Sequence, residues 1–292
     1  MKKVSLNIFY LILSLLLTAF ILENIFTSGH YNFTPRSTVD WVMKLDSLDT
    51  YDYVILGSSR SLNNLDPIQI EQLTGKRGIN MGVNSGQPFD TKLFAQQLIK
   101  KRITKSIYIQ VDDGWNNWGL SHKSISGWLP YIKEASIWEE FEELDNKEYY
   151  YLKNIPFYKY AKFDSEIGVR NFIKGLTGQR LRSIKNFGHV PSYTVLKKEE
   201  RSLKYDFSLQ DKANPHITEI LSLCKANDIE VIFFTAPVFN ATHDHSLLNK
   251  HLPNYFDFTY SIKNPDLFAD RRHLNADGVA YFGEYICNIF EN

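Results

Sequence analysis

With only two cysteines among 292 residues the chain cannot build a disulfide framework, and Cys224 and Cys287 stand in neither a C-x-x-C pair nor a Cys/His spacing that would hold a metal. Each lies in a helical-looking pattern, and a bridge between them is left open. An excess of charge is missing too. Thirty-three Lys+Arg balance 33 Asp+Glu, so the chain has no electrostatic footprint for nucleic acid and no polybasic stripe for anionic lipid. Nucleic-acid partners are excluded on that ground. Internal repeats and low-complexity tracts are absent, and nothing in the sequence calls for a cofactor.

Cations are also missing locally. After Lys2 and Lys3 the run VSLNIFYLILSLLLTAFILENIF, Val4 to Phe26, contains no Lys or Arg. At about 1.5 Å per residue it is long enough for the roughly 30 Å hydrocarbon core of a bilayer, and it is apolar on nearly all faces. The basic residues before it favour a cytoplasmic N-terminus. It exceeds a signal-peptide h-region and no A-x-A-like site follows, so residues 1–27 are expected to form a short cytoplasmic stub and an uncleaved single-pass signal anchor; a cleaved signal peptide is the alternative. The rest of the chain is then periplasmic or extracellular. Residues 28–48, polar and mixed with Pro35, read as a stalk with a short helix around Val39 to Leu45.

From residue 49 on, short apolar runs alternate with helical periodicity, which predicts parallel strands joined by crossover helices. Strands are expected at Tyr53 to Leu56, Arg77 to Asn80, Ser106 to Val111, Val231 to Phe234 and Phe256 to Phe258. Helices are expected at about Asp90 to Arg102, Asn214 to Asn227 and Ala276 to Phe290. Between about 114 and 204 the rhythm gives way to Trp/Tyr/Phe-rich stretches and charge clusters, read as a helical insertion. The expected fold is an α/β, doubly wound, flavodoxin-like, mainly parallel sheet flanked by helices. The 14% aromatic content, including Trp115, Trp118, Trp128 and Trp138, suits either core packing or a sugar-stacking groove, and packing is preferred.

In such sheets functional groups collect where strands end. The first strand runs into Gly57-Ser58-Ser59-Arg60-Ser61, where a glycine permits a tight turn and a serine opens a helix among free backbone N–H groups. The competing reading is plain helix capping. Just before the closing helix stands Asp270-Arg271-Arg272-His273, whose spacing lets a carboxylate fix the tautomer of a general-base imidazole; Asn275 or Asp277 would cap that helix. Arg60 could bind an acidic group of a ligand or form a structural ion pair. Asp112 and Asp113, with His243 and His245, suggest a metal-dependent hydrolase if they converge, although a polar loop explains each pair more simply.

A Ser after the first strand together with D-x-x-H before the last helix resembles the SGNH (GDSL-like) hydrolases over residues 49–292. The resemblance makes Ser59 the nucleophile, with Ser58 where Asp is usual, as in the family's membrane-anchored branch that handles acyl groups of envelope polymers. Asp270 and His273 complete the catalytic set. Asn80-Met81-Gly82-Val83-Asn84-Ser85-Gly86 looks like the family's second block with one extra residue, giving the Gly86 or Ser85 N–H as oxyanion donor and Gly82 as fallback. In place of the third block's G-x-N-D stands Asp112-Asp113-Gly114-Trp115-Asn116-Asn117, where Asn116 or Asn117 would substitute. The implied function is a serine esterase or O-acyltransferase acting on acetyl or other acyl esters of cell-envelope polysaccharide, with a membrane-bound O-acyltransferase as donor partner and without metal or cofactor. The alternative is a catalytically weak SGNH-like module that binds glycan or scaffolds an acylation complex.

Overall fold

The computed structural model describes residues 2–119 and 121–291; Met1, Leu120 and Asn292, the outer ends of the expected domains and one insertion residue, lie outside the described residues. The chain begins with α1 (Lys2–Asn32) and α2 (Thr38–Lys44). It then alternates through β1 (Tyr53–Leu56), α3 (Ser59–Asn64), α4 (Pro67–Thr74), β2 (Gly78–Asn80), α5 (Pro88–Lys101) and β3 (Ser106–Gln110). Helices α6 (His122–Trp128), α7 (Ala135–Glu143), α8 (Lys147–Asn154), α9 (Tyr158–Lys162), α10 (Asp164–Ile167) and α11 (Val169–Leu176) follow, with no strand among the described residues there. After them come α12 (Pro215–Ala226), β4 (Glu230–Thr235), β5 (Tyr255–Asp257) and α13 (Ala276–Ile286). Contacts divide the chain into two compact units. One comprises the chain up to Lys44 with Ile125–Leu181, the other Leu45–Ser124 with everything from Arg182 on.

The second unit holds a five-stranded, all-parallel sheet in the order β2-β1-β3-β4-β5, flanked by helices. All four residues of β1 are buried, as an uninterrupted apolar run predicts for a strand covered on both faces. Val54 pairs with Ile79 on one side and Ile107 on the other, and Ile109 pairs with Phe233. Tyr53, Ile55, Tyr108, Ile232 and Phe234 share a core with Ile70 of α4 and Val279, Phe282 and Ile286 of α13. The expected strands match within a residue or two, the last beginning one residue early. Helix α4 was not anticipated, although its signals are local: Asp66 caps it at 2.9 Å from the Ile68 nitrogen, Pro67 opens it, and Gly75 closes it at φ +75°. Cys224 and Cys287 are both free thiols, and burial pushes the Cys224 thiol up to about 11.

In the first unit α1 is one unbroken helix of 31 residues, about 45 Å long at 1.5 Å per residue. Leu6, Ile8, Leu11, Leu15 and Phe20 are all at least half exposed, and the helix is long and apolar enough to cross a membrane. Burial begins at Glu23, which accepts from Lys159 at 2.5 Å and lies 3.2 Å from Lys133. Phe26 stacks on Phe172 at 4.4 Å, and buried Asp40 accepts from His30 and Tyr131. The last turns of α1 and all of α2 thus pack in this unit with the inserted helices.

Candidate active site

Each loop of the site leaves the carboxyl end of a strand. At the end of β1, Gly57 has φ +141°, and a Cβ there would stand 2.9 Å from both Cβ and the carbonyl oxygen of Gln110. Only glycine lets the chain turn this close to β3. Ser58 caps α3, its hydroxyl accepting from the Arg60 nitrogen at 3.2 Å. The same hydroxyl lies 2.9 Å from Gln110 Oε1 and 3.1 Å from Asp112 Oδ2, either of which can take its proton. Ser58 therefore fastens α3 to the end of β3. Ser59 follows as the first helical residue, half-buried, its N–H without a protein acceptor among the described residues.

Ser59 Oγ lies 2.9 Å from His273 Nε2, and His273 Nδ1 lies 2.8 Å from Asp270 Oδ2. With the Nδ1 proton donated to the carboxylate, Nε2 accepts from the serine hydroxyl. Asp270 Oδ1 also accepts from the backbone nitrogens of Arg272 at 2.7 Å and His273 at 3.0 Å. Burial raises the Asp270 carboxyl, but the imidazole and these two N–H groups outweigh it and hold it below its ordinary value.

The backbone around His273 is gripped by wholly buried Asn64, which donates to the Arg272 carbonyl at 3.2 Å and accepts from the Leu274 N–H at 2.8 Å. Asn64→Ala would leave both groups unpaired. It is expected to destabilise the protein by about 2 kcal/mol in chemical denaturation, the penalty for buried groups that lose their partners. Asn275 caps α13 by accepting from the Gly278 nitrogen at 2.9 Å, fixing where the loop ends.

Charged groups beneath the loops form one network. Arg60, a candidate contact for an acidic ligand, is wholly buried: its guanidinium donates to the Ala236 and Pro237 carbonyls and lies 3.8 Å from Asp112. It is a structural cation with no route to a ligand. Arg272 lies 3.5 Å from Asp112 and 2.9 Å from Asp113, whose other oxygen accepts from Tyr205 at 2.8 Å. Burial raises the Asp112 carboxyl, while Arg60 and Arg272 more than reverse the effect. With their charge neutralised by arginines, Asp112 and Asp113 do not converge on the histidines. His245 is buried 2.7 Å from Thr259 Oγ1 and stacked on Phe207, and His243 is exposed. Among the described residues no metal-ligating cluster includes any of the four.

The expected oxyanion donors separate in the same way. The Gly82 N–H donates to Asn80 Oδ1 at 3.0 Å and the Gly86 N–H to the Val83 carbonyl at 2.8 Å, so both are occupied. Ser85 is exposed at φ +60° and its N–H has no acceptor among the described residues. Asn116 donates to Ser208 at 2.7 Å and accepts from Gln210 at 2.8 Å, which holds it on the 208–210 segment. Asn117 donates to Gln87 Oε1 at 3.0 Å, against the second loop. Trp115 and Trp128 are buried, while Lys212 covers half-exposed Trp118 at 3.9 Å and Lys153 covers Trp138 at 3.7 Å.

Sequence reasoning missed Asn64, Gln110, Arg272 and Tyr205. Gln110 carried one usable signal, a polar residue closing an otherwise apolar strand; the others act through partners distant in sequence. No protein-family model matches the sequence, and no curated protein matches it.

Proposed function

We propose that this protein is an SGNH-type serine esterase or O-acyltransferase acting on acyl esters, in the first place acetyl esters, of cell-envelope glycans. α1 anchors it with the N-terminus in the cytoplasm and the remainder on the periplasmic or extracellular side. The observation that carries this reading is the continuous chain from Ser59 Oγ through His273 to Asp270 at 2.9 and 2.8 Å. The strand order supports it, being that of doubly wound flavodoxin-like sheets, in which reactive groups gather at the carboxyl ends of strands.

In the reaction His273 Nε2 takes the Ser59 proton as Oγ bonds to the ester carbonyl carbon and the π pair moves onto oxygen. The oxyanion faces the free N–H groups of Ser59 and Ser85. Collapse breaks the bond to the alcohol, which leaves with the proton held by His273. Water or a sugar hydroxyl then gives its proton to His273 and attacks the acyl carbon, and as the bond to Oγ breaks His273 returns that proton to Ser59. Hydrolysis and transfer share every step but the acceptor. In the transfer case a membrane-bound O-acyltransferase supplies the acyl group.

Treating the full-length protein with a fluorophosphonate and mapping the adduct tests this reading: modification at Ser59, together with acetate release from aryl acetates and acetylated glycan, is expected. An unlabelled protein would instead support a glycan-binding module of low activity. The internal bonds that occupy the Gly82, Gly86 and Asn116 donors favour that second reading, because each missing oxyanion donor costs about 10²–10³ in rate.

Asp270→Asn is expected to lower kcat by roughly 10²-fold with KM little changed. A fully buried orienting carboxylate contributes about 10⁴. Asp270 is 53% exposed, so water can take over part of its role. Steady-state kinetics on an aryl acetate check the size of the loss.

A further inference from the structure

We infer that the helical part of the first unit is a membrane-surface dock, with Tyr150, Tyr151, Ile155, Val169 and Ile173 seated in the interfacial layer of the bilayer that α1 crosses. The inference rests on reading α1 as the spanning helix.

From Val4 to Leu22 that helix rises about 28 Å, close to the hydrocarbon thickness of a bilayer, which brings Glu23 to the boundary. The folded unit is attached at this level. The Phe157 nitrogen, just past the end of α8, donates to Glu23 Oε2 at 3.1 Å, and the Phe157 ring meets Phe26 at 5.1 Å. Phe172 of α11 stacks on Phe26 and lies 5.4 Å from Phe33. α1 runs unbroken through this region to Asn32, so no hinge separates the span from the unit, and whatever packs on Glu23 and Phe26 is held against the headgroups.

The side chains next to those attachment points are apolar and exposed: Ile155 is 47% exposed, Tyr151 48%, Val169 51%, Ile173 53% and Tyr150 59%. Val169 and Ile173 are four residues apart and share one face of α11, while Phe172 turns to α1. In water these residues would form an unfavourable rim. At a membrane interface, tyrosines at headgroup depth, aliphatic tips below them and the neighbouring cations Arg170 and Lys174 of α11 form the expected composition, while Lys153 and Lys162 are held within the unit by Trp138 and Glu148.

The test uses the full chain, with Cys224 and Cys287 replaced by alanine, reconstituted in nanodiscs of phosphatidylethanolamine and phosphatidylglycerol. Spin labels are introduced by Leu17→Cys, Ile155→Cys, Ile173→Cys and Gln179→Cys. Gln179 is exposed, and its carbonyl binds Arg36, well past the boundary. The ratio of oxygen to aqueous nickel-chelate accessibility is expected to be highest at 17, and several-fold higher at 155 and 173 than at 179. Equal ratios at 155, 173 and 179, with 17 still lipid-exposed, overturn the dock alone. A water-accessible label at 17 overturns the spanning helix itself.

Discussion

Ser59→Ala is expected to abolish fluorophosphonate labelling and to reduce ester turnover by about 10⁶-fold, the loss typical of removing a nucleophile from an intact serine–histidine unit. The hydroxyl is the only group on this loop within hydrogen-bond distance of His273 Nε2, at 2.9 Å among the described residues, so no neighbour can inherit its role. Ser58 cannot, because its hydroxyl is engaged by Gln110, Asp112 and the Arg60 nitrogen. His273→Ala should cost a similar factor, and the double variant no more than either single one, since the two groups act as a unit. Ser59 is half-buried and contributes one side-chain hydrogen bond, so melting temperature should move by no more than the effect of about 1 kcal/mol. Turnover in Ser59→Ala equal to that of the unaltered protein would remove the acyl-enzyme mechanism.

Asp112→Ala carries the largest expected loss of stability, about 3–5 kcal/mol, because it strands a buried cation. Arg60 is fully enclosed, and its Nε has no acceptor among the described residues. The Asp112 carboxylate supplies its counter-charge and also accepts from Gly114 at 2.7 Å and Gln110 at 3.2 Å. For a unit of this size the loss corresponds to a fall of roughly 10 °C in Tm, readable by calorimetry. Replacing the pair together, Arg60→Met with Asp112→Leu, should recover most of it, because the uncompensated charge goes too. A pH dependence follows. Asp112 is held below the usual carboxylate range of about 4, so its contribution is complete above that range and is lost as pH falls through the folded-state value. Asp112→Ala should lack that part of the acid-side loss.

Much of the framework could be read locally. The strand Tyr53–Leu56 declares itself by four consecutive apolar residues, and α1 by a run without cations. The same locality explains what was hidden. Arg60, next to the candidate nucleophile in sequence, leaves a ligand contact and a structural ion pair both open, and only the fold turns it inward to Asp112 and the Ala236 and Pro237 carbonyls. Gly86 is a candidate oxyanion donor only through the resemblance of its loop to the family's second block, and the Val83 carbonyl takes its N–H. Residues 28–48 read as a stalk because they are polar and mixed, whereas buried Asp40 is polar because it pairs with His30 and Tyr131.

The sequence alone determined the alternation of strands and helices, the apolar helix at the N-terminus and the residue types able to form a serine, histidine and aspartate set, since each depends on periodicity or spacing over a few residues. Only the tertiary structure decided that Ser59 and His273, 214 positions apart, meet within hydrogen-bond distance, that Asn64 grips the peptides around His273, and that Glu23 pairs with Lys159. Those contacts are fixed by the parallel order of the sheet and by the helices packed within each unit. Hydrophobic burial chooses that order over the whole chain, and no local pattern records which distant side chains it brings together.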